Sequence, residues 1–208
     1  MRVLDIGSGW GGMGLYLAEV CGADVTGVTL SREQHKLSNA RAHQRGIEDQ
    51  IRFELLDYRQ LDDQFDRIIS VGMFEHVGLR HYDTYFRSVR DRLTEDGIAL
   101  IHTICVSEAP SGTNPWIEKY IFPGGYLPSL SEMVNTVENH NLLITDIEIL
   151  RLHYAETLRH WSDRFEKNAD RVAQLYDEHF VRMWRYYLVA CEQSFRYRRQ
   201  SVFQLQIT

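Results

Sequence analysis

The 208-residue sequence has few of the features that mark extracellular, membrane-spanning or metal-binding proteins. Its three cysteines, Cys21, Cys105 and Cys191, are odd in number and far apart, so neither a disulfide framework nor a zinc knuckle is indicated. No run approaches the roughly 18 apolar residues of a membrane span. The amino terminus lacks the basic segment followed by an apolar run that a secretory signal requires. These absences predict a cytoplasmic protein.

Basic residues are also in deficit, and the formal net charge is -6. Nucleic acid is therefore not expected as a partner, because that binding normally needs a basic surface. The deficit is uneven along the chain. Residues 1–150 carry 22 Asp and Glu against 13 Lys and Arg, whereas residues 151–208 carry 7 against 10. The carboxyl-terminal part could thus contact an anionic surface, which allows a peripheral position at the inner membrane surface.

Strand and helix patterns alternate along most of the chain. Strands are predicted at 3–6, 24–30, 51–57, 65–72, 98–104, 142–152 and 201–208, the last as an edge strand. Helices are predicted at 13–22, 31–46, 81–97, 129–141 and 154–199. Residues 107–125, which hold three of the four prolines, are predicted to form a long functional loop. This rhythm predicts an α/β fold with a seven-stranded, mostly parallel sheet and helices on both faces. Ligands of such sheets bind at the carboxyl ends of the strands.

A glycine-rich turn follows the first strand. Gly7, Gly9 and Gly12 satisfy the G-x-G-x-x-G pattern, which by itself is a weak indication of dinucleotide binding. A dinucleotide enzyme is expected to have an acidic residue at the end of the second strand, where this sequence has Thr29 and Leu30. A methionine-derived nucleoside, which has no pyrophosphate, fits better. A turn that only packs a helix on a strand is the remaining alternative.

Six motifs, in this order and spacing, carry a family resemblance: "VLDIGSGWGG", "GVTLSREQ", "RIISVGMFEHVG", "ALIHTI", "KYIFPGGYLPSL" and "YYLVACEQSFR". From Val3 to the carboxyl terminus the sequence resembles the cyclopropane-fatty-acyl-phospholipid synthase family, which includes mycolic acid cyclopropane synthases. The resemblance implies a Rossmann-like class I S-adenosylmethionine (SAM)-dependent methyltransferase. Family members usually carry an additional amino-terminal segment that folds over the cofactor, so the chain resembles a catalytic core without this lid.

The resemblance implies a reaction at a cis double bond in an acyl chain of a phospholipid. The double bond takes the sulfonium methyl group of SAM, a base removes a proton from that methyl, and a cyclopropane ring closes. It also implies one domain, residues 1–208, with a helical substrate-covering insertion at about 107–130 and 154–199. The enzyme must therefore hold SAM, exclude water and position a base.

Cofactor binding is assigned to residues at four strand ends. By resemblance these residues are Asp5, Gly7, Ser8, Gly9, Trp10, Gly11, Thr29, Leu30, Gln34, Asp57, Tyr58, Arg59 and Val71. Asp5 precedes the turn and is placed to orient it. Tyr58 matches a position where the family often has an aromatic residue near adenine, although a surface aromatic is the alternative. Asp57 is also suited to a local turn role.

The resemblance implies that the base is a bicarbonate ion held by Glu75, His102 and Tyr154. Glu75 and His102 both lie at the ends of apolar strands. Without the resemblance, a lone histidine in an apolar strand is more often a hydrogen-bonded core residue. An anion beside Glu75 needs hydrogen-bond donors, which His102 and the Tyr154 hydroxyl can supply.

Cys191 and the aromatic residues around it have two interpretations each. The family often assigns the cysteine at this position to the active site, but the reaction needs no thiolate and buried cysteines are common in cores. The aromatic residues pack helices or line an acyl tunnel: Tyr154, Trp161, Phe165, Tyr176, Phe180, Trp184, Tyr186, Tyr187, Phe195 and Tyr197. Five arginines contact headgroups or form a solvated face: Arg182, Arg185, Arg196, Arg198 and Arg199.

Three functions remain open on the sequence. The first is cyclopropanation of an unsaturated phospholipid acyl chain. The second is SAM-dependent C-methylation of another lipid or small molecule. The third is a core that binds SAM or lipid without catalysis, which the missing segment makes less remote.

Overall fold

The computed structural model describes residues 1–198 and 200–208. Arg199, one of the five arginines above, lies outside the described residues. The strands are β1 (Arg2–Ile6), β2 (Asp24–Thr29), β3 (Ile51–Leu55), β4 (Phe65–Val71), β5 (Leu93–Val106), β6 (Ile144–Leu150) and β7 (Gln200–Ile207). The helices are α1 (Gly12–Cys21), α2 (Arg32–Arg45), α3 (Tyr82–Arg92), α4 (Pro115–Tyr120), α5 (Leu130–Asn139), α6 (His153–Glu166), α7 (Ala169–Leu175) and α8 (Glu178–Tyr197).

The strands form one sheet in the order β3-β2-β1-β4-β5-β7-β6. β1 to β5 pair in parallel, and β7 pairs antiparallel with both β5 and β6. The predicted α/β class with a mostly parallel seven-stranded sheet is confirmed. The prediction that the last strand lies at an edge is wrong. The alternation of Phe203, Leu205 and Ile207 indicated one buried face, but Val202 on the opposite face is also buried.

Local capping signals place several helix ends where the sequence predicted them. The Ser31 hydroxyl accepts a hydrogen bond from the Gln34 backbone N–H at the start of α2. Gly46 ends that helix with φ +67°, and Gly22 ends α1 with φ +61°. A reciprocal pair between Ser129 and Glu132 opens α5. These helix ends depend on contacts over a few residues, which explains why the sequence predicts them.

Three predicted boundaries differ from the structure. The helix expected to reach Gly97 ends at Arg92, because Leu93 is already extended and pairs with Phe65. The region 107–125 contains α4, which Asn114 caps by accepting from two backbone N–H groups. The region 154–199 is divided among α6, α7 and α8.

Packed side chains cover both faces of the sheet. One cluster places Leu15 and Ala18 of α1 against Val3 and Val25. A second cluster, on the other face, packs α3 and α5 against β1, β4, β5 and β7. A third joins α6 and α8 to β7 through Ala155, Leu188 and Val202. Among the described helices, none combines the length and the apolarity needed to cross a bilayer.

Candidate active site

The glycine-rich turn joins β1 to α1 at the carboxyl edge of the sheet. Gly7, Gly9 and Gly11 have φ values of +78°, +56° and +82°, in the region that favours glycine. The backbone N–H groups of Gly7 and Ser8 both donate to the Val28 carbonyl oxygen, at 3.0 and 2.9 Å. Hydrogen bonds thus attach the turn to the end of the neighbouring strand. The glycines of the turn have no side chains to cover its backbone.

Gly11→Ala is expected to lower the free energy of unfolding by about 2 to 3 kcal/mol and to weaken SAM binding. A Cβ at this position would lie 2.8 Å from both Phe53 Cζ and Ser38 Cβ, and φ +82° is unfavourable for alanine. Urea unfolding and calorimetry with SAM measure the two effects. Gly12→Ala is the matched control, since a Cβ there has no neighbour within 4 Å. Equal losses in both variants would contradict the packing argument.

Asp5 lies below the turn on the central strand β1 and is buried. Its Oδ2 atom has no hydrogen-bond partner in the part of the chain that the structure describes, and burial raises the pKa of Asp5 to about 7. A buried acceptor without a donor is costly, and a ligand with donors or positive charge at this edge would offset that cost. The position of Asp5 therefore fits a cofactor seated on the turn.

The end of β2 carries a polar pair and an apolar side chain. Thr29 is buried, and its hydroxyl donates to Gln34 Oε1 at 2.7 Å. Leu30 is 74% exposed, and Trp10 in the glycine-rich turn is 51% exposed. No acidic side chain follows β2 directly, in keeping with the argument against a dinucleotide.

The loop after β3 is internally paired. Asp57 accepts from the backbone N–H of Arg59 at 3.0 Å and from its guanidinium Nε at 2.9 Å. The hydrogen bond from Arg59 lowers the pKa of Asp57. Tyr58 is half-buried and packs edge-on against Tyr85, with ring centroids 5.6 Å apart. Asp57 thus has the local turn role that the sequence allowed, and its contact with a cofactor stays a prediction.

Glu75 follows β4 and is only 8% exposed. Its Oε1 accepts from the Ile104 backbone N–H at 2.7 Å, whereas Oε2 is buried without a partner among the described residues. The Glu75 carbonyl oxygen accepts from the Tyr126 backbone N–H at 2.9 Å. One carboxylate oxygen is therefore held by β5, and the other lacks a hydrogen bond that a bound donor would supply.

His102 and Tyr154 reach the same end of the sheet from different elements. His102 is half-buried on β5, where its register partner is Val71 of β4, and its carbonyl oxygen accepts from the Gly72 N–H at 2.9 Å. Tyr154 lies in the first turn of α6. Burial raises the pKa of Tyr154, and the negative charge of Glu75 adds to the effect. The Tyr154 hydroxyl consequently keeps its proton at neutral pH beside the Glu75 carboxylate.

Cys191 lies on α8 in the cluster that contains Tyr154 and Tyr187. Burial raises the pKa of the Cys191 thiol to about 11. The group is therefore a neutral thiol at physiological pH, which suits packing better than nucleophilic attack. Its assignment to catalysis stays a prediction.

Three contacts at this site were missed in the sequence. The Ile104 N–H, the Tyr126 segment and Gln204, whose Oε1 lies 3.4 Å from His102 Nδ1, all touch predicted site residues. Tyr126 lies inside the "IFPGGYLPS" motif, so the motif marked the segment without indicating its contact. No periodicity signals the other two, because each joins positions far apart in the chain.

The strand order, the glycine-rich turn after β1 and the likeness to a solved structure define a class I SAM-dependent methyltransferase fold. The model of the mycolic acid cyclopropane synthetase family matches residues 1–205. The chain belongs to this family, as the motifs predicted.

Two curated relatives and one solved structure illustrate the similarity. The chain is 45% identical over 205 residues to the cyclopropane-fatty-acyl-phospholipid synthase of Escherichia coli, covering 99% of this chain and 52% of the relative. It is 40% identical over 209 residues to a tuberculostearic acid methyltransferase of Mycobacterium tuberculosis, covering 98% and 49%. The chain spans about half the length of these relatives. A mycolic acid cyclopropane synthase complexed with SAH and CTAB superposes with a TM-score of 0.92 at 30% identity, covering 100% of this chain and 77% of that one.

Proposed function

We propose that this chain is the catalytic part of an enzyme that transfers a one-carbon unit from SAM to the cis double bond of an unsaturated phospholipid acyl chain, giving a cyclopropane ring. The observation that carries the proposal is the buried carboxylate of Glu75, whose Oε2 has no partner among the residues described, although Oε1 is fixed by Ile104. A simple transfer to an oxygen or nitrogen atom would not need a second anion site beside such a carboxylate.

Bound SAM would supply the activated methyl group, and bound bicarbonate would supply the base. The glycine-rich turn, with Asp5 below it and Gln34 beside it, would hold the cofactor. The unpaired Asp5 Oδ2 supports this assignment, because a ligand would satisfy a buried acceptor. The structural relative that carries SAH has the same fold.

Glu75, His102 and Tyr154 would hold the bicarbonate. Glu75 Oε2 would accept a hydrogen bond from the acid proton of the ion. The protonated Tyr154 hydroxyl would donate to it and offset the repulsion between two anions. Fixing the base in this way would remove the cost of ordering it during the reaction.

Aromatic rings near Glu75 would accept the acyl chain. Phe122 lies between His76 and Tyr187, with ring centroids 6.1 and 5.9 Å apart. Trp184 extends the row from Tyr187 at 5.0 Å. Tyr187 and Trp184 belong to a larger cluster, which side chains of α4, α6 and α8 share. This larger cluster supports a substrate cover built from residues 107–130 and 154–199. A relative complexed with CTAB, a long-chain detergent, also supports it.

The proposal includes peripheral contact with a membrane, and two of the arginines give little support to it. Arg185 pairs with Glu166 at 2.6 Å, and Arg196 pairs with Glu156 at 2.6 Å. Such exposed pairs contribute little to stability, but they reduce the positive charge offered to headgroups. Leu175 and Tyr176 at the corner between α7 and α8 are exposed apolar side chains that would enter the interface instead.

The test is to incubate the chain with SAM and vesicles of unsaturated phospholipid. We expect acyl chains to gain one CH₂ group by mass spectrometry, with the cyclopropane protons visible by NMR. Vesicles of saturated phospholipid are the control. Gain of CH₂ without cyclopropane protons would favour methyl branching, which the likeness to a tuberculostearic acid methyltransferase makes the second candidate. If SAM binds and no product forms, whether with the chain alone or with the amino-terminal half of a relative joined to it, the remaining function is that of a non-catalytic core.

A second arm joins the amino-terminal half of the Escherichia coli relative to this chain. We expect the joined protein to turn over faster than the chain alone, since a segment folding over the cofactor would exclude water. The initial rate of SAH release measures the difference. Equal rates would contradict the requirement for a lid, and binding of SAM measured in parallel separates poor cofactor retention from poor chemistry.

A further inference from the structure

Three polar side chains form a row across strands β5, β7 and β6 on one face of the sheet. In the strand register His102 lies opposite Gln204, and Gln204 lies opposite Glu148. His102 Nδ1 is 3.4 Å from Gln204 Oε1, and Gln204 Nε2 donates to Glu148 Oε2 at 2.5 Å. The row connects a half-buried imidazole with an exposed carboxylate at the edge strand.

The chemistry of the row determines which atoms carry hydrogen. The Glu148 carboxylate can only accept, so Gln204 must present its NH₂ group to it. The opposite amide orientation would place two acceptor oxygens against each other. Gln204 therefore turns Oε1 towards His102, and because this oxygen also only accepts, the hydrogen of His102 must lie on Nδ1. This assignment follows from which atoms can donate a hydrogen and which can only accept one.

We propose that Gln204 and Glu148 are positioning residues that keep a hydrogen on Nδ1 of His102, so that the neutral form of the imidazole is the Nδ1–H tautomer with Nε2 as an acceptor. The inference deepens the proposed function and rests on it for its catalytic meaning. In the base site, Nε2 of the neutral imidazole would face the ion as a second acceptor beside Glu75 Oε2, and these two acceptors would share the one acid proton of the ion. This reverses the donor role expected from the sequence and leaves donation to Tyr154.

The test measures the tautomer directly by long-range ¹H–¹⁵N correlation NMR of the ¹⁵N-labelled chain near neutral pH. The His102 resonances are assigned from the spectrum of His102→Gln. We expect a protonated-type shift at Nδ1 and an unprotonated-type shift at Nε2. In Gln204→Leu the pattern should move towards the Nε2–H form, which is the commoner tautomer of free imidazole side chains. An Nε2–H pattern in the unaltered chain would overturn the proposal.

Two further variants keep the test decisive. Glu148→Gln replaces the exposed end of the row, leaves the core untouched, and allows the Gln204 amide to flip, so a mixed tautomer pattern is expected. An unchanged His102 spectrum in both Gln204→Leu and Glu148→Gln would also overturn the proposal. Gln206→Leu is the matched control, because Gln206 lies two residues along β7 on the same face and donates to Thr145 Oγ1 at 3.0 Å instead. It should leave the His102 pattern unchanged.

Turnover separates this inference from the proposed function. Gln204→Leu should lower kcat by at least about tenfold while leaving the KM for SAM nearly unchanged, since misplacing a histidine proton impairs chemistry more than binding. A tautomer change without loss of kcat would sustain the structural assignment and remove its catalytic role. Absence of any turnover in the unaltered chain would count against the proposed function alone, because the NMR result does not depend on activity.

Discussion

Glu75→Gln is expected to reduce turnover by about 10²- to 10⁴-fold while leaving the affinity for SAM nearly unchanged. Glutamine retains an oxygen that can accept from the Ile104 N–H, which Glu75 Oε1 does at 2.7 Å. It replaces the free Oε2, which has no partner among residues 1–198 and 200–208, with an amide that cannot accept the proton of a bound acid. The variant therefore preserves the fold and removes only the group assigned to the base site.

Calorimetry with SAM and release of SAH in the presence of unsaturated phospholipid vesicles measure the two parts of this expectation. Glu138→Gln, an exposed carboxylate on α5, is the control and should behave as the unaltered chain does. Loss of SAM binding in Glu75→Gln would move Glu75 into the cofactor site. Full turnover would exclude it from the base site.

Asp5→Asn is expected to stabilise the ligand-free chain at pH 8 by up to about 4 kcal/mol relative to its effect at pH 4. Burial raises the pKa of Asp5 from 3.8 in the unfolded reference to about 7 in the folded chain. The folded state therefore binds the proton more tightly. Its stability contribution from this group is complete below about pH 4 and is lost as the pH rises through 7. Asparagine is neutral throughout and escapes this loss.

Urea unfolding of both proteins at several pH values between 4 and 8 measures the growing difference in unfolding free energy. Asp24→Asn, at an exposed position at the start of β2, is the control. Parallel pH profiles for Asp5→Asn and the unaltered chain would contradict the burial argument. The same variant should bind SAM more weakly at pH 8, because a ligand that donates to the ionised Asp5 loses that partner. Stability and binding would thus change in opposite directions.

Most of the structure at the edge assigned to the cofactor was predictable because it is local. The turn at Gly7 to Gly11 needs positive φ angles that few residues other than glycine adopt, and the sequence supplies glycines at those positions. Thr29 and Gln34, five residues apart, meet through one hydrogen bond. Arg59 and Asp57 meet within a single turn of helix. In each case the contact spans few enough residues for spacing to indicate it.

The chemistry around Glu75 was predictable only as a set of residue types. The family resemblance named Glu75, His102 and Tyr154, but the free Oε2 and the anchoring of Oε1 depend on where β5 passes the end of β4. Cys191 also shows that the place of a residue in a motif does not establish its chemical state. Its place in the motif suggested catalysis, whereas its burial among aromatic side chains raises its pKa to about 11 and keeps the thiol neutral.

The sequence by itself determined the strands, most helix ends, the glycine turn and the family, because these depend on alternation, caps and backbone preferences over a few residues. Only the tertiary structure decided that β7 enters the sheet between β5 and β6 and that His102, Gln204 and Glu148 form one row. Strand alternation says which residues share a face but not which strand lies alongside. That choice is made when the faces of distant segments are buried together.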